Sequence, residues 1–262
     1  MNLNNQHKTV MKKSLYILSG IMFLNLLIAT DANAQDNVFF VPDPETARWS
    51  YLESDADGKE SATTFYSVGT MTGNAVNGSV KLIVERVTAS APADTLKSFI
   101  FYKFKDGECM VDMNALFEVD VLTSMMESAA GEAVREASPE DKAKAIEEMK
   151  SRIQISGEMR GIPRYPKTGE LPDYEFRFKF SVLSMTVKGT QRKISGKEKI
   201  ATPAGVFDCF ILEETATTKA LMQKEVEKTV SWYAYGIGLV KNSTYDKKGK
   251  LVSTTVLNSI NW

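Results

Sequence analysis

Apolar and polar residues that alternate with a period of two are the feature that most constrains how this chain folds. Residues 79–88 alternate in this way, and residues 174–180 carry an aromatic side chain at every second position. Such alternation places one set of side chains on one face of a strand and the other set on the opposite face. The pattern therefore predicts half-buried strands, which are typical of an antiparallel sheet.

Short loops that contain glycine join several of the predicted strands. The segments at 105–107 and 246–249 each end in glycine between two strand-like runs, and a glycine supplies the positive φ that a hairpin turn needs. Thr202-Pro203-Ala204-Gly205 fits a type I turn, because proline presets φ at the second position. These loops predict hairpins, which join antiparallel strands.

Helical patterns occur only in the middle of the chain. Apolar residues with i, i+4 spacing predict one amphipathic helix over roughly 119–137. Ser138 and Pro139 are a typical N-cap and first residue for a second helix, which we expect to end at about Arg152. The side chains expected to be buried along that helix are Ala143, Ile146, Met149 and Ile153. Strands on both sides of one helical insertion predict an α+β domain that is mostly β, with an inserted helical pair.

The first 34 residues contain the three parts of a secretory signal peptide. Lysines precede an apolar stretch at 15–29, and the small-x-small cleavage sequence Ala32-Asn33-Ala34 follows it. The apolar stretch is shorter than the ~20 residues that a membrane-spanning helix needs. We therefore expect cleavage after Ala34, which leaves residues 35–262 as a single exported β-rich domain that is not an integral membrane protein.

The distribution of histidine and charge excludes several classes of function. The only histidine, His7, lies inside the predicted signal peptide, so the mature chain has no imidazole for a Ser-His-Asp or Cys-His mechanism or for most zinc sites. A formal net charge of -1 gives no electrostatic reason to expect nucleic-acid binding. The segment Asp55-Ala56-Asp57-Gly58 departs from a calcium loop, and a turn explains it better. We expect no cofactor, no metal and no catalytic residue.

Carboxylates are the remaining candidates for catalysis. A glycosidase needs two of them about 5–9.5 Å apart. Glu213 and Glu214 are neighbours in a predicted strand and therefore point to opposite faces. Asp173 and Glu175 share a face, but their alternation with aromatic residues is typical of a solvated strand side. A carboxylate-based glycan hydrolase is therefore an alternative and not the expected function.

Two cysteines, Cys109 and Cys209, lie in predicted strands. A disulfide between them would close a loop of about a hundred residues and stabilise the fold by ~4–5 kcal/mol in the chain-entropy model. The interpretation we adopt is two separately buried thiols that pack as small apolar groups, with the disulfide as the alternative.

Three sets of residues resemble the TapB-like family of exported proteins from Gram-negative bacteria. They are Gly196–Cys209, Trp232–Lys241 with Tyr245–Leu251, and the shorter segments at 104–107 and 111–113. The resemblance covers most of residues 45–262 and implies a curved antiparallel half-barrel similar to periplasmic lipoprotein carriers. It also implies a periplasmic or secreted location, and it implies no catalytic residue.

An apolar stripe on the first predicted helix is the candidate binding face. Leu122, Met125 and Met126 lie on it, and methionine-rich faces adapt to apolar ligands or partner segments, although the same stripe also suits a core. We expect an exported, non-catalytic protein that binds an apolar ligand or an envelope partner on a concave sheet face. A structural or accessory component of a surface assembly is the alternative.

Overall fold

A single antiparallel sheet accounts for most of the structure, which is a computed structural model. The structure describes residues 47–74, 76–106, 108–112, 115, 138–180, 183–220 and 223–261. The chain divides into two compact units, one of Met1–Asn25 with Asn114–Arg152 and one of Leu26–Met113 with Ile153–Trp262. Among the described residues, the first unit contains the helix α1 (Pro139–Arg152) and the second contains the 14-stranded sheet.

The strands of the sheet follow one another in space almost as they do in the sequence. Their bounds are β1 Arg48–Asp55, β2 Glu60–Gly73, β3 Gly78–Thr88, β4 Ala91–Lys105, β5 Glu108–Val111, β6 Ile153–Gly157, β7 Met159–Arg160, β8 Gly169–Glu170, β9 Tyr174–Phe180, β10 Leu183–Thr202, β11 Gly205–Ala220, β12 Gln223–Ala234, β13 Gly238–Asp246 and β14 Leu251–Asn261. The spatial order is β6-β9-β10-β11-β12-β13-β14-β1-β2-β3-β4-β5-β7, and β8 pairs with β10. The prediction of a mostly β, curved antiparallel sheet is confirmed.

The two ends of this spatial order are joined by one short stretch of chain. β6 pairs with β9 at one edge of the sheet and β7 pairs with β5 at the other, yet only Glu158 separates β6 from β7. Residues 153–160, which we call the closing strand, therefore connect both edges. The chain bends at Gly157, where φ is 79° and a Cβ would lie 2.0 Å from the Glu175 carbonyl oxygen. The sheet is thus nearly closed, beyond the half-barrel expected from the sequence.

The inner face of the sheet, which carries Tyr51, Tyr66 and Tyr102, is filled by its own side chains. Trp49 stacks on Tyr66 with ring centroids 5.5 Å apart, and the Tyr51 hydroxyl donates to the Leu239 carbonyl oxygen two strands away at 2.9 Å. Large inner residues that are at most 3% exposed include Trp49, Tyr51, Tyr66, Tyr102, Phe176, Leu212 and Tyr233. This part of the inner face is therefore packed as a core.

The N-terminus of α1 has the cap that the sequence predicts. Ser138 Oγ accepts a hydrogen bond from the Asp141 N–H at 3.1 Å and donates to Asp141 Oδ2 at 2.7 Å. No helix among the described residues is long and apolar enough to cross a membrane. The first predicted helix, over 119–137, lies outside the described residues.

Of the side chains predicted to be buried along α1, Ile146 is buried, with 2% of its surface exposed. Ala143 is exposed, contrary to expectation. Ile153 is not helical, because it begins β6 and pairs with Phe180. The side chain of Met149 lies outside the described residues. The predicted burial is therefore confirmed at Ile146 and wrong at Ala143, and it stays a prediction at Met149.

Two loops at the same end of the sheet share one hydrogen-bond pattern. In the β1–β2 loop, Asp55 Oδ1 accepts from the backbone N–H groups of Asp57 and Lys59, each at 3.0 Å. In the β13–β14 loop, Asp246 Oδ1 accepts from the backbone N–H groups two and four residues on, at 2.8 and 2.9 Å. Gly58 and the equivalent glycine of the second loop have φ of 78° and 77°. Both predicted turns are confirmed.

One predicted strand is wrong. The strand-like run that precedes the loop at 246–249 is not one continuous strand, because β12 ends at Ala234 and β13 begins at Gly238. Gly236 has φ of 67° and Gly238 has φ of 85°, so these glycines form a hairpin turn. The chain reverses there, because two positive φ values in three residues turn the backbone and do not merely curve it.

Candidate functional site

Arg192 is a fully buried cation on the inner face of the sheet. A β-bulge puts it there: Thr190 pairs with Thr215 and Lys193 with Glu213, so Gln191 and Arg192 together oppose the single residue between them on β11. One extra residue reverses the alternation of side chains along a strand. As a result Arg192 points inward and is 1% exposed.

The Arg192 guanidinium donates hydrogen bonds to four acceptors in three other parts of the chain. Its Nε donates to Glu214 Oε2 at 3.0 Å and its Nη1 donates to the Pro172 carbonyl oxygen at 2.8 Å. Its Nη2 donates to the carbonyl oxygens of Arg160 and Gly161 at 3.0 and 2.7 Å. These acceptors lie on β11, in the loop before β9 and at the end of the closing strand. Arg192 therefore holds the closing strand against β10 and β11.

Tyr174 completes the arrangement around this ion pair. Its ring centroid lies 5.0 Å from the Arg192 guanidinium carbon, and its hydroxyl donates to Glu214 Oε1 at 3.5 Å. The ring can lie there because residue 189 is glycine, where a Cβ would be only 2.2 Å from the Tyr174 Cε1 atom. Gly189 is therefore a packing requirement of the site.

Burial dominates the electrostatics of the pair. Burial raises the pKa of Glu214, while the charge and hydrogen bond of Arg192 act in the opposite direction. Burial also raises the pKa of Tyr174, and the Glu214 carboxylate adds to this increase. The neighbouring Glu213 lies on the opposite face, 3.1 Å from Lys228 Nζ. The prediction that these two glutamates cannot share a site is confirmed.

A small recess adjoins Arg192. Its volume is 20 Å³, and Cys109, Arg160, Ile162 and Pro172 are among the residues that line it. That volume is about what one water molecule needs. A glycosidase requires space for a sugar between two carboxylates, and this recess does not provide it. The recess beside the Arg192–Glu214 pair is therefore too small for a sugar, and the hydrogen bonds of Arg192 connect parts of the fold.

The two cysteines are free thiols on opposite faces of the sheet. Cys109 on β5 pairs with Phe104 and faces inward, and burial raises the pKa of its thiol. Cys209 on β11 belongs to an outer cluster with Trp232 and Val240. Its thiol pKa is raised to about 12 by burial and then by nearby carboxylates. Such thiols react slowly, because the thiolate is the reactive form.

The predicted binding face lies outside the part of the chain that the structure describes. Leu122, Met125 and Met126 belong to residues 116–137, so their role stays a prediction. Within the described residues, no group of three His, Cys, Asp or Glu side chains is placed to hold a metal ion.

Sequence reasoning missed Arg192. The neighbouring Lys197 and Lys199 are exposed, and a strand segment rich in basic residues is typical of a solvated face. Uninterrupted alternation from Gly189 would have turned Gln191 inward and Arg192 outward. The β-bulge reverses these two orientations, and no residue in the segment indicates the bulge from sequence alone.

Comparisons with known proteins agree with this architecture. Residues 133–257 match the model of the DUF3108-like family. No curated protein matches the chain. A presumed lipoprotein from Parabacteroides distasonis has a solved structure with a TM-score of 0.56 and 19% identity, over 82% of this chain and 95% of that chain. The chain shares its fold.

A second solved structure gives the same result. A presumed exported protein from Bacteroides fragilis, described as having a YmcC-like fold, has a TM-score of 0.54 and 19% identity. The match covers 82% of this chain and 95% of that chain. At such low identity the two likenesses establish the fold and leave the function open.

Proposed function

We propose that this chain is an exported, non-catalytic envelope protein that acts by binding another envelope component, with the nearly closed sheet as a rigid scaffold. The observation that carries the proposal is the packed inner face, where Tyr102 and Tyr233 are at most 2% exposed. A core packed in this way offers its outer surface for binding and not an interior pocket. Export is supported by the signal-peptide pattern and by the descriptions of the two proteins that share the fold.

The absence of histidine from residues 35–262 supports a role without acid–base catalysis at imidazole. We keep the resemblance to the TapB-like family, and with it a periplasmic or secreted location in a Gram-negative cell, as part of the same proposal. An accessory role in a surface assembly is a form of this function in which the bound component is a structural protein.

Export is tested by expressing the chain with its own first 34 residues in a Gram-negative host and reading its N-terminus by mass spectrometry. We expect periplasmic or secreted protein that begins at Gln35. As a matched control, Ala34→Arg should leave the leader attached, because the cleavage site requires small residues. An unprocessed wild-type chain in the cytoplasm would contradict the proposal.

A fluorescent fatty acid separates surface binding of a partner from binding of an apolar ligand. The proposal predicts no saturable binding of this probe by the processed chain. Saturable binding that Met125→Gln weakens, without a change in melting temperature, would instead support an apolar ligand site on the first predicted helix. In that case the assignment of a partner-binding role would be wrong.

A further inference from the structure

A two-stranded arm projects from the sheet. It consists of residues 196–208, in which Lys199 pairs with Asp208 and Thr202 pairs with Gly205 across a two-residue turn. The next strand, β12, ends at Ala234 opposite Cys209, so the arm continues past it by the four residues Gly205–Asp208. At ~3.3 Å per residue this is a projection of about 13 Å.

The tip of the arm is apolar and exposed. Val206, which is 64% exposed, pairs with Ala201, which is also exposed, and the turn between them contains Pro203 and Ala204. Tyr235, which is 37% exposed, lies at the base of the arm, where its ring meets Phe210 edge-on with centroids 5.0 Å apart. Single exposed apolar residues are common, but here they are gathered at the end of a projection.

Basic side chains lie behind the tip on the same face as Val206. Lys197 and Lys199 occupy alternate positions of β10, and Lys197 Nζ lies 4.5 Å from the centroid of Phe210. Glu198 between them lies on the opposite face, where Trp232 Nε1 donates to it at 2.7 Å. Asp208 is 3.6 Å from Lys199 in an exposed pair, and such pairs are weak and easily exchanged.

From this arrangement of apolar and basic side chains along the arm we infer that the arm docks on an anionic membrane surface. Val206 and the turn at its tip lie among the lipids, and Lys197 and Lys199 contact the phosphates. Aromatic and basic side chains at the interface, next to an apolar tip, are the usual arrangement of a protein segment that lies at a membrane–water boundary. The inference rests on the export in the proposed function, because the arm meets an envelope membrane only there.

A partner protein is the less favoured occupant. A strand that added to the exposed edge of β10 would have to pair beside Lys197, Glu198 and Lys199, and charged residues at a sheet edge disfavour such pairing. The apolar residues are also at the turn and not along the edge. Neither feature obstructs contact with a lipid surface.

Vesicle flotation tests the inference on the purified processed chain, residues 35–262. Wild-type protein should float with vesicles of phosphatidylethanolamine and phosphatidylglycerol, and much less with phosphatidylcholine vesicles. Lys197→Gln/Lys199→Gln should lower the partition coefficient by about 25-fold, since each lysine near an anionic surface contributes about fivefold. Val206→Asn should weaken binding to both kinds of vesicle, because it removes an inserted apolar side chain.

Two variants at other sites serve as matched controls. Lys247→Gln/Lys248→Gln removes the same charge from the loop between β13 and β14, which is not part of the arm. Val252→Asn removes an apolar side chain that is 43% exposed. Both should bind vesicles as the wild type does. All variants are compared as the processed chain that begins at Gln35, because the apolar stretch at 15–29 of an attached leader would itself bind vesicles.

Three outcomes would overturn the inference. They are a wild-type chain that does not float with anionic vesicles, a loop variant that loses as much binding as the arm variant, and arm variants that float normally but lose a defined protein partner. The last outcome would overturn membrane docking and leave the proposed envelope function standing. A chain that binds vesicles but is never exported would instead contradict the proposed function while the arm still binds lipid.

Discussion

Replacement of Arg192 by methionine is expected to destabilise the protein more than any surface change. It leaves Glu214 as a buried carboxylate without its cation, which costs about 3–5 kcal/mol in proteins where one partner of such a pair is removed. The carbonyl oxygens of Arg160, Gly161 and Pro172 also lose their donor, at about 1–3 kcal/mol for a buried acceptor left unpaired. Some of these carbonyl oxygens will accept hydrogen bonds from other donors, so we expect the free energy of unfolding to fall by about 5 kcal/mol or more.

A second substitution separates the charge from the lost hydrogen bonds. Glu214→Gln removes the buried charge, so the double variant Arg192→Met/Glu214→Gln should be more stable than Arg192→Met alone by about 2–3 kcal/mol. Arg192→Lys keeps the charge but cannot reproduce the fork that reaches four acceptors. It should therefore fall between the wild type and the methionine variant.

Urea unfolding measures these differences, and the pH dependence tests their cause. Burial raises the pKa of Glu214 in the folded state, so its destabilising effect is absent below the unfolded pKa and grows as pH rises through the folded pKa. The deficit of Arg192→Met should therefore shrink at low pH, and amide hydrogen exchange at Glu158 and Leu171 should accelerate at neutral pH. A loss below about 1 kcal/mol, or a deficit that does not change with pH, would refute the reasoning.

Three further predictions concern titration, backbone conformation and the thiols. Burial and then the charge of Glu225 raise the pKa of Glu227 to about 7, so the folded state loses stability as pH rises from about 4 to 7. Glu227→Gln should therefore raise the free energy of unfolding by about 1 kcal/mol at pH 8, after allowance for the partial exposure of this side chain, and should leave it unchanged at pH 4. Gly157→Ala should cost about 3 kcal/mol or more in urea unfolding, because φ is 79° and a Cβ would lie 2.0 Å from a carbonyl oxygen; a cost near zero would contradict the role of the bend. Denatured chain prepared without reductant should react with two equivalents of a thiol reagent at Cys109 and Cys209; zero equivalents would reveal a disulfide.

The features that the sequence predicts correctly are those decided by neighbouring residues. The period-two pattern at 79–88 corresponds to β3 and that at 174–180 to β9, because burial on one face selects the side chains of a single strand. The turns at 55–58 and 246–249 were predictable because an aspartate and a glycine at fixed spacing make their own hydrogen bonds and φ. The cap at Ser138 is local in the same sense.

The features that the sequence does not predict depend on remote pairing. Ile153 continues a helical pattern, yet it is a strand residue because Phe180 and β9 offer an open edge. The β-bulge at Gln191 and Arg192 lets Arg192 pair with Glu214, which is more than twenty residues away along the chain. Both features depend on a residue in a distant strand, and the alternation of apolar and polar residues within one segment does not indicate such pairing.

The pairing of β1 with β14 delays completion of the sheet until the last strand has been made. Trp49 pairs with Ile260 and Tyr51 with Leu257, across more than 200 residues of sequence. At ~5–20 residues per second, synthesis of the intervening chain takes about 10–40 s. During that time β1 can pair with β2 but its other edge stays open, and an open edge invites pairing with other chains. Folding that waits until the last strand has been made avoids this exposure of the β1 edge.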